Sequence, residues 1–327
     1  MSKAGAAFQT SGQPVMKGMS ISNGKFENLK DASWQPKKLL IRSFGRQIHY
    51  YMQTTPLVII GMHRSGTSLI TQWLYRCGLY IGDELMVANG GNEQGYFEDM
   101  DFVRLHENLL RGEDLPDTGL TDKSLPELSS EKRRSILRLL EDKDSSHAQW
   151  GWKDPRTCLF LPVYRQLIPN AKYLLIYRDY RFCVSSLIRR MLKDKKIDYL
   201  NTGKWNAPLR WKWYKKAKTS RFLFHTYSED FLKVWIHYNK ELLSHVETLG
   251  RERCPVVNYR FLLSDDKKVF NLLTSHWDFN LTYSSFGDVY NKELMSTEAV
   301  IDPYITDKSL ITVAEKLESQ LQAYALT

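Results

Sequence analysis

Gly61-Met-His-Arg-Ser-Gly66-Thr67-Ser68 is the stretch whose residue types and spacing most plainly bear chemistry. Two glycines bracketing an arginine, with hydroxyls at Ser65, Thr67 and Ser68, suit a loop that wraps an anion in backbone N–H groups. A G-x-x-x-x-G-K-[ST] loop places a lysine after its second glycine and a metal-holding hydroxyl after that. Here Thr67 takes the lysine position and the cation stands inside the loop as Arg64. The spacing for a phosphate or sulfate is kept, and the lysine that serves ATP is gone.

Such a loop works only between a strand that delivers it and a helix whose positive end faces the ligand. Leu57–Ile60 is a short apolar run with the pattern of a strand buried on both faces. Leu69, Ile70, Trp73, Leu74 and Cys77 then recur at helical spacing. Trp150–Pro155 reads as a strand ending in a turn, and Lys172–Tyr177 and Pro255–Asn258 as further strands. Helices are predicted around Phe102–Leu109, over Glu131–Leu140 behind Ser129 and Ser130, over Thr157–Ile168 and over Phe182–Met191. A capping box, Thr226-Tyr-Ser-Glu229, opens a long helix that turns Phe231, Trp235, Tyr238, Leu242 and Val246 inward and stops at Gly250. A weaker pattern, Leu39, Leu40, Phe44 and Ile48, predicts a short amphipathic helix over residues 36–52. Strands alternating with helices predict an α/β fold with a mostly parallel central sheet flanked by helices. Ligands of such sheets bind at the carboxyl ends of the strands, just where Arg64, Lys153, Arg178 and Tyr259 fall.

Arg178 separates nucleotide classes. P-loop NTPases commonly end a second buried strand with an aspartate for Mg²⁺, whereas this chain places a guanidinium there and Asp179 one residue later. A planar, bidentate cation suits a second phosphate better than a metal. Ser186 lies two helical turns further on and reaches the same anion only if the intervening residues loop before the helix starts.

Together these residues resemble the sulfotransferases that use 3′-phosphoadenosine 5′-phosphosulfate (PAPS). GMHRSGTSL looks like their 5′-phosphosulfate loop, and Arg178 with Ser186 after a buried strand matches their 3′-phosphate motif. Lys153-Asp-Pro and the run Pro169–Asp179 are similar to the tyrosylprotein sulfotransferase branch and its bacterial relatives. Asn92…Gly95-Tyr-Phe-Glu98 and Tyr259-Arg-Phe-Leu-Leu resemble further elements of the bacterial branch. The resemblance spans roughly residues 55–265. It implies a P-loop NTPase-like sulfotransferase fold, with residues 1–53 as an N-terminal extension and 54–327 as a single sulfotransferase domain.

The resemblance also implies roles. Arg64, Ser65, Gly66, Thr67 and Ser68 hold the 5′-phosphosulfate, Arg178 and Ser186 the 3′-phosphate, and Tyr259 lies near the adenine. Lys153 stabilises charge on the leaving and bridging oxygens. No metal is needed, and 3′,5′-ADP (PAP) is the product. The acceptor hydroxyl must lose its proton to a general base. The tyrosylprotein branch places that glutamate at Glu84, the bacterial GYFE motif at Glu98, and some heparan sulfotransferases at the spacing of Glu93. Cytosolic members use a histidine, for which His63 and His106 fit poorly. Glu98 is the preferred base, with Glu84 next. Two other classes stay open: an ATP-dependent small-molecule kinase with a divergent P-loop, weakened by the missing lysine, and a non-catalytic nucleotide- or membrane-binding module.

Charge and composition bear on the acceptor. The formal net charge of +9 is concentrated between Arg189 and Arg221, where twelve Lys/Arg face Asp194 and Asp198 alone. Within it, Trp205, Trp211, Trp213 and Tyr214 alternate with the cations, a composition that suits a sugar face or an anionic headgroup. It predicts a rim for an anionic or glycosylated hydroxyl acceptor, and allows peripheral membrane contact through residues 189–221. Nucleic acid is not expected. The chain carries neither a leader-like apolar segment nor a run long enough to cross a membrane. Its cysteines (Cys77, Cys158, Cys183, Cys254) are scattered, as in a reducing, cytoplasmic protein. These points argue against a secretory-pathway tyrosine enzyme. Residues 1–34, rich in Gly, Ser, Ala and Lys, read as a mobile extension.

Overall fold

The structure is a computed structural model and describes residues 42–44, 47–49, 52–87, 95–200, 219–292 and 300–326. Residues 1–41, Glu93 and the aromatic-basic stretch 204–218 lie outside the described residues. The expected helix over 36–52 is corrected: β1 (Arg42–Phe44) and β2 (Gln47–His49) form an antiparallel pair, with Ser43 opposite Ile48. Gly45 disfavours a helix at its midpoint, and the flanking aromatic and β-branched residues suit strand pairing better.

The central sheet has four parallel strands in the order β4 (Gly151–Lys153), β3 (Leu57–Ile60), β5 (Lys172–Ile176), β6 (Val256–Val257). The central strand β3 pairs from Leu57 opposite Lys172 to Ile60 opposite Leu175, and on its other edge Val58 lies opposite Trp152. The two-residue period of a strand divides its side chains between two cores. Val58 and Ile60 join Trp152, Tyr173, Leu175 and Trp235 on one face, while Leu57 and Ile59 join Ile70, Trp73, Leu174 and Ile176 on the other. Each such buried side chain contributes about 1.5–3 kcal/mol of transfer free energy, so the alternation sets the register firmly. Because all four strands are parallel, their carboxyl ends share one edge.

Helices cover both faces: α1 (Thr67–Arg76), α2 (Met100–Arg111), α3 (Ser130–Ser146), α4 (Leu161–Leu167), α5 (Tyr180–Leu200), α6 (Thr219–Leu249), α7 (Tyr259–Asn271) and α8 (Lys308–Tyr324). Residues Pro155–Phe160 form a 3-10 turn before α4, so the helix expected from Thr157 begins as a tighter coil. Ser129 caps α3 by accepting from the Lys132 amide, as the sequence predicts. The capping box assigned to Thr226 and Glu229 is corrected, because α6 is already helical from Thr219. Thr226 Oγ1 donates to the carbonyl of Phe222 one turn back, the usual recourse of a mid-helix threonine. Glu229 instead accepts from the Thr306 and Asp307 amides at 2.8 and 3.2 Å, supporting the start of α8. Gly250 ends α6 with φ 76, as expected of a C-terminal glycine.

Gly61, where β3 turns into the anion loop, has no room for a side chain. A Cβ there stands 2.4 Å from the Ile176 carbonyl oxygen at the end of β5. Gly61→Ala is therefore expected to cost about 2–3 kcal/mol, read as a lowered urea midpoint at unchanged slope.

Candidate active site

The loop after β3 turns sharply into α1 with a geometry that could cradle an anion. Arg64 adopts φ 68 and Gly66 φ 100, so the chain reverses through two left-handed residues before α1. That conformation costs a non-glycine residue about 1–2 kcal/mol, a strain characteristic of functional turns. Ser65 pins the turn, its amide and its hydroxyl both donating to the Met62 carbonyl at 3.2 and 2.7 Å. Gly66 starts α1 without a side-chain cap, and no acidic residue occupies the first turn. The positive end of α1 is left for a ligand.

Arg178, two residues past β5, donates from Nη1 to the Arg64 carbonyl at 3.2 Å. Arg64 in turn donates from Nε to Ser186 Oγ at 2.9 Å. The structure thus brings Arg64, Arg178 and Ser186 together, but not by the route the sequence suggested. Helix α5 starts at Tyr180 with no intervening loop. Ser186 is buried on its inner face, and the arginine side chain spans the distance. Trp235 Nε1 donates to the Arg178 carbonyl at 3.2 Å and anchors the strand end. Burial holds Arg64 below the usual arginine range, and the neighbouring Arg190 and Arg178 guanidiniums push the same way. A bound anion relieves that mutual repulsion.

Lys153, the last residue of β4, connects this loop to the segment before α2. Its Nζ donates to Glu98 Oε1 at 2.6 Å and to Ser68 Oγ at 3.1 Å. Both members of the ion pair are nearly inaccessible, with 1% and 7% of their side chains exposed. Burial raises the Glu98 carboxyl above its ordinary 4.5, with Lys153 opposing, and lowers Lys153 below its ordinary value, with Glu98 opposing. The carboxylate is thereby a stronger base than a solvated one.

The turn after Lys153 is held by a buried polar network. Asp154 accepts from the Arg156 amide at 2.9 Å and from its guanidinium at 3.1 Å, and meets His106 Nδ1 at 2.8 Å. His106 Nε2 lies 2.8 Å from the Tyr164 hydroxyl, and Arg156 reaches Glu107 at 3.0 Å. Asp154 stays strongly acidic because Arg156 and His106 outweigh the effect of burial. His106 is engaged in this scaffold, away from base chemistry. His63 is neutral, its pKa lowered to about 3 by burial and then by Arg156.

The remaining candidates separate clearly. Glu84 is half-exposed and paired with Arg104 at 2.9 Å, whereas Lys153 bonds Glu98 and Ser68. Tyr259 opens α7 just past β6, with Asn258 as its N-cap. Thr67 is buried at the start of α1. Three features had no clear sequence signal. The His106–Asp154–Arg156 network joins separate segments, and only the Lys-Asp-Pro motif hinted at Asp154. Arg190 stacks over the Tyr96 ring at 5.2 Å, linking α5 to the segment that carries Glu98. Lys143 of α3 contacts Asp99, the residue after Glu98, at 2.8 Å.

The profile of the sulfotransferase family matches residues 56–283. A Caenorhabditis elegans protein named as a protein-tyrosine sulfotransferase is 42% identical over 65 residues, 18% of this chain and 24% of that protein. Its Caenorhabditis briggsae counterpart is 27% identical over 147 residues, 38% of this chain and 51% of that protein. The chain thus spans about half or less of the length of these curated relatives. Among solved structures, the sulfotransferase domain from the curacin biosynthetic pathway is 16% identical with a TM-score of 0.44, covering 85% of this chain and 100% of that one. A sulfotransferase from Mycobacterium avium is 16% identical with a TM-score of 0.47, covering 81% and 76%. With the family profile spanning well over half of its length, the chain belongs to the sulfotransferase family.

Proposed function

We propose that this enzyme transfers a sulfuryl group from PAPS to the hydroxyl of a saccharide, glycolipid or other small acceptor, by metal-free in-line displacement with Glu98 as general base. The observation that carries this reading is the Lys153 ammonium, bonded at once to Glu98 and to Ser68 on the first turn of α1. One cation bridges the proton-accepting group and the phosphosulfate cradle. The donor fits the residues present. Its 5′-phosphosulfate suits the uncapped start of α1 with Arg64, Ser65, Gly66, Thr67 and Ser68, and its 3′-phosphate suits Arg178 and Ser186. Tyr259, the first residue of α7 past the neighbouring strand, is assigned to the adenine. A kinase reading lacks its lysine, since Thr67 fills that position.

In the step itself, the acceptor O–H proton passes to Glu98 as the acceptor oxygen bonds to sulfur. The bond from sulfur to the bridging phosphate oxygen breaks, and 3′,5′-ADP leaves with the added negative charge. Lys153, released from its ion pair as Glu98 is protonated, donates to that oxygen. Such preorganised charge stabilisation supplies a large share of rate acceleration.

A second acceptor class has support of its own. The names of the Caenorhabditis relatives point to a peptide tyrosine. Against it stand the buried, unpaired thiols Cys77, Cys158, Cys183 and Cys254, which suit a reducing compartment. Among the described residues, no helix is long and apolar enough to cross a membrane. A cytoplasmic location and one catalytic domain over residues 54–327 follow from this reading.

Calorimetry compares 3′,5′-ADP without metal against ATP·Mg²⁺. Tight binding of the bisphosphate is expected, lowered about 10–100-fold by Arg64→Ala or Arg178→Ala, as for loss of charge-assisted hydrogen bonds. Preference for ATP·Mg²⁺ rejects the donor. Transfer of labelled sulfate from PAPS is then measured into saccharide, glycolipid and tyrosine-peptide fractions. Glu98→Gln is expected to cut that transfer by about 10²-fold or more while leaving 3′,5′-ADP affinity nearly intact; full turnover moves the base to Glu84 or Glu93. The pH profile adds a third check. A base must be ionised, so activity rises with pH through the Glu98 pKa. Because burial raises that pKa, the acidic limb should lie above the ordinary carboxylate value of 4.5, and an acidic limb at or below it removes Glu98 from the role.

A further inference from the structure

The residues around Glu98 are gripped from one point. Lys143, in the last turns of α3, has 2% of its side chain exposed. Its ammonium lies 2.8 Å from Asp99 Oδ2, 2.8 Å from Asp101 Oδ2 and 3.6 Å from Asp83 Oδ2. These carboxylates flank both limbs of a short antiparallel bridge between Leu85 and Asp99. In it the Met86 amide donates to the Glu98 carbonyl, and the Met100 amide to that of Glu84, each at 2.8 Å. We propose that Lys143 is a positioning residue for Glu98, its ammonium clamping the two limbs of this bridge so that the carboxylate is held against Lys153. The inference rests on the reading of Glu98 as the base.

Local geometry explains why a clamp is needed. Phe97, directly before Glu98, is held at φ 52. A non-glycine residue persists there only when its surroundings over-determine it. Gly82 has φ 144, and a Cβ on it stands 2.7 Å from Asp99 Cβ and Cγ, so the two limbs are in van der Waals contact at the clamp. Asp99 also caps α2, accepting from the Asp101 amide at 3.0 Å. Burial opposes the charge on Lys143, but its hydrogen bonds to Asp101 and Asp99 outweigh it and push the pKa up to about 12. The ammonium stays charged throughout the working range.

The next residue extends the arrangement to the donor side. Asp144 is fully buried and accepts from the Gln53 and Thr54 amides at 2.6 and 2.9 Å and from the Thr54 hydroxyl at 2.5 Å. Thr54 Oγ1 in turn accepts from Trp150 Nε1 at 2.9 Å, beside the start of β4. One turn of α3 thus indexes the Glu98 limb against the strands that carry the anion loop and Lys153. A displacement of about 1 Å in a reacting group can cost about 10²-fold in rate, so a clamp in this position acts on catalysis without touching substrate.

The test uses the full chain with Lys143→Met, Lys143→Arg and Asp101→Asn. Backbone hydrogen exchange at Met86 and Met100 is expected to quicken about tenfold or more in Lys143→Met, with 3′,5′-ADP affinity within about twofold of the parent. At saturating PAPS, labelled transfer into an acceptor-bearing extract should fall by about 30-fold or more, and Lys143→Arg should restore most of it. Unchanged exchange at both amides overturns the proposal. So does a loss of 3′,5′-ADP affinity in step with transfer, the signature of general unfolding. If Lys143→Met does not fold, Asp101→Asn, which removes one half-exposed partner, decides by the same measurements with smaller changes expected. The two readings fail separately: full transfer by Glu98→Gln removes the base assignment, whereas loss in Glu98→Gln with unchanged exchange in Lys143→Met removes the clamp alone.

Discussion

Lys153 ends a strand buried on both faces, and its ammonium is almost wholly withdrawn from water. Desolvating such a charge costs several kcal/mol unless partners compensate, and each partner here imposes a demand on the fold. Glu98 must be carried in from the segment before α2, where Phe97 takes a left-handed conformation to aim it. Ser68 must face the strand end from the first turn of α1. Beyond Lys153 the chain must turn at once, which Asp154 and Pro155 accomplish with the help of His106 and Arg156. The pair is mutually stabilised while burial opposes the charge on each member.

On the opposite side of the cradle the problem is reversed. Arg64, Arg178 and Arg190 crowd one edge of the sheet with like charge. Their approach is tolerable because the Arg64 carbonyl and the Ser186 hydroxyl accept hydrogen bonds between them. Parallel pairing is the deeper cause. It brings every strand to its carboxyl end at one edge, so side chains distant in sequence converge without special loops. A cluster of guanidiniums and a buried Lys–Glu pair thus stand side by side, one on each flank of β3.

Much of this was legible in the residues. The buried strands, the glycine-bounded loop and the helix behind it follow from hydrophobic period and from glycine conformational preference, both local properties. Arg178 and Lys153 could be placed at strand ends for the same reason. Where local signals competed, the reading went astray. Residues 36–52 offered leucines at helical spacing, but Arg42–Phe44 and Gln47–His49 pair as strands. Thr226 and Glu229 have the spacing of a capping box, yet α6 runs through them. Glu229 serves a helix that starts more than seventy residues later, a contact that no local window contains.

Sequence alone determined the parallel α/β architecture and the resemblance to the sulfotransferases, because hydrophobic period, glycine placement and short motifs are local properties. The surroundings of the two candidate carboxylates needed the tertiary structure. Glu84 and Glu98 are both carboxylates near one loop, and nothing in their spacing says that one pairs with Arg104 in solvent while the other is buried against Lys153. Ser186 became part of the cradle through the reach of Arg64 across to α5. Lys143 carried no motif at all, and its place beside Asp99 follows from how α3 packs. Burial and proximity are properties of the packed chain, and they set both the strength of a base and the partner of a charge.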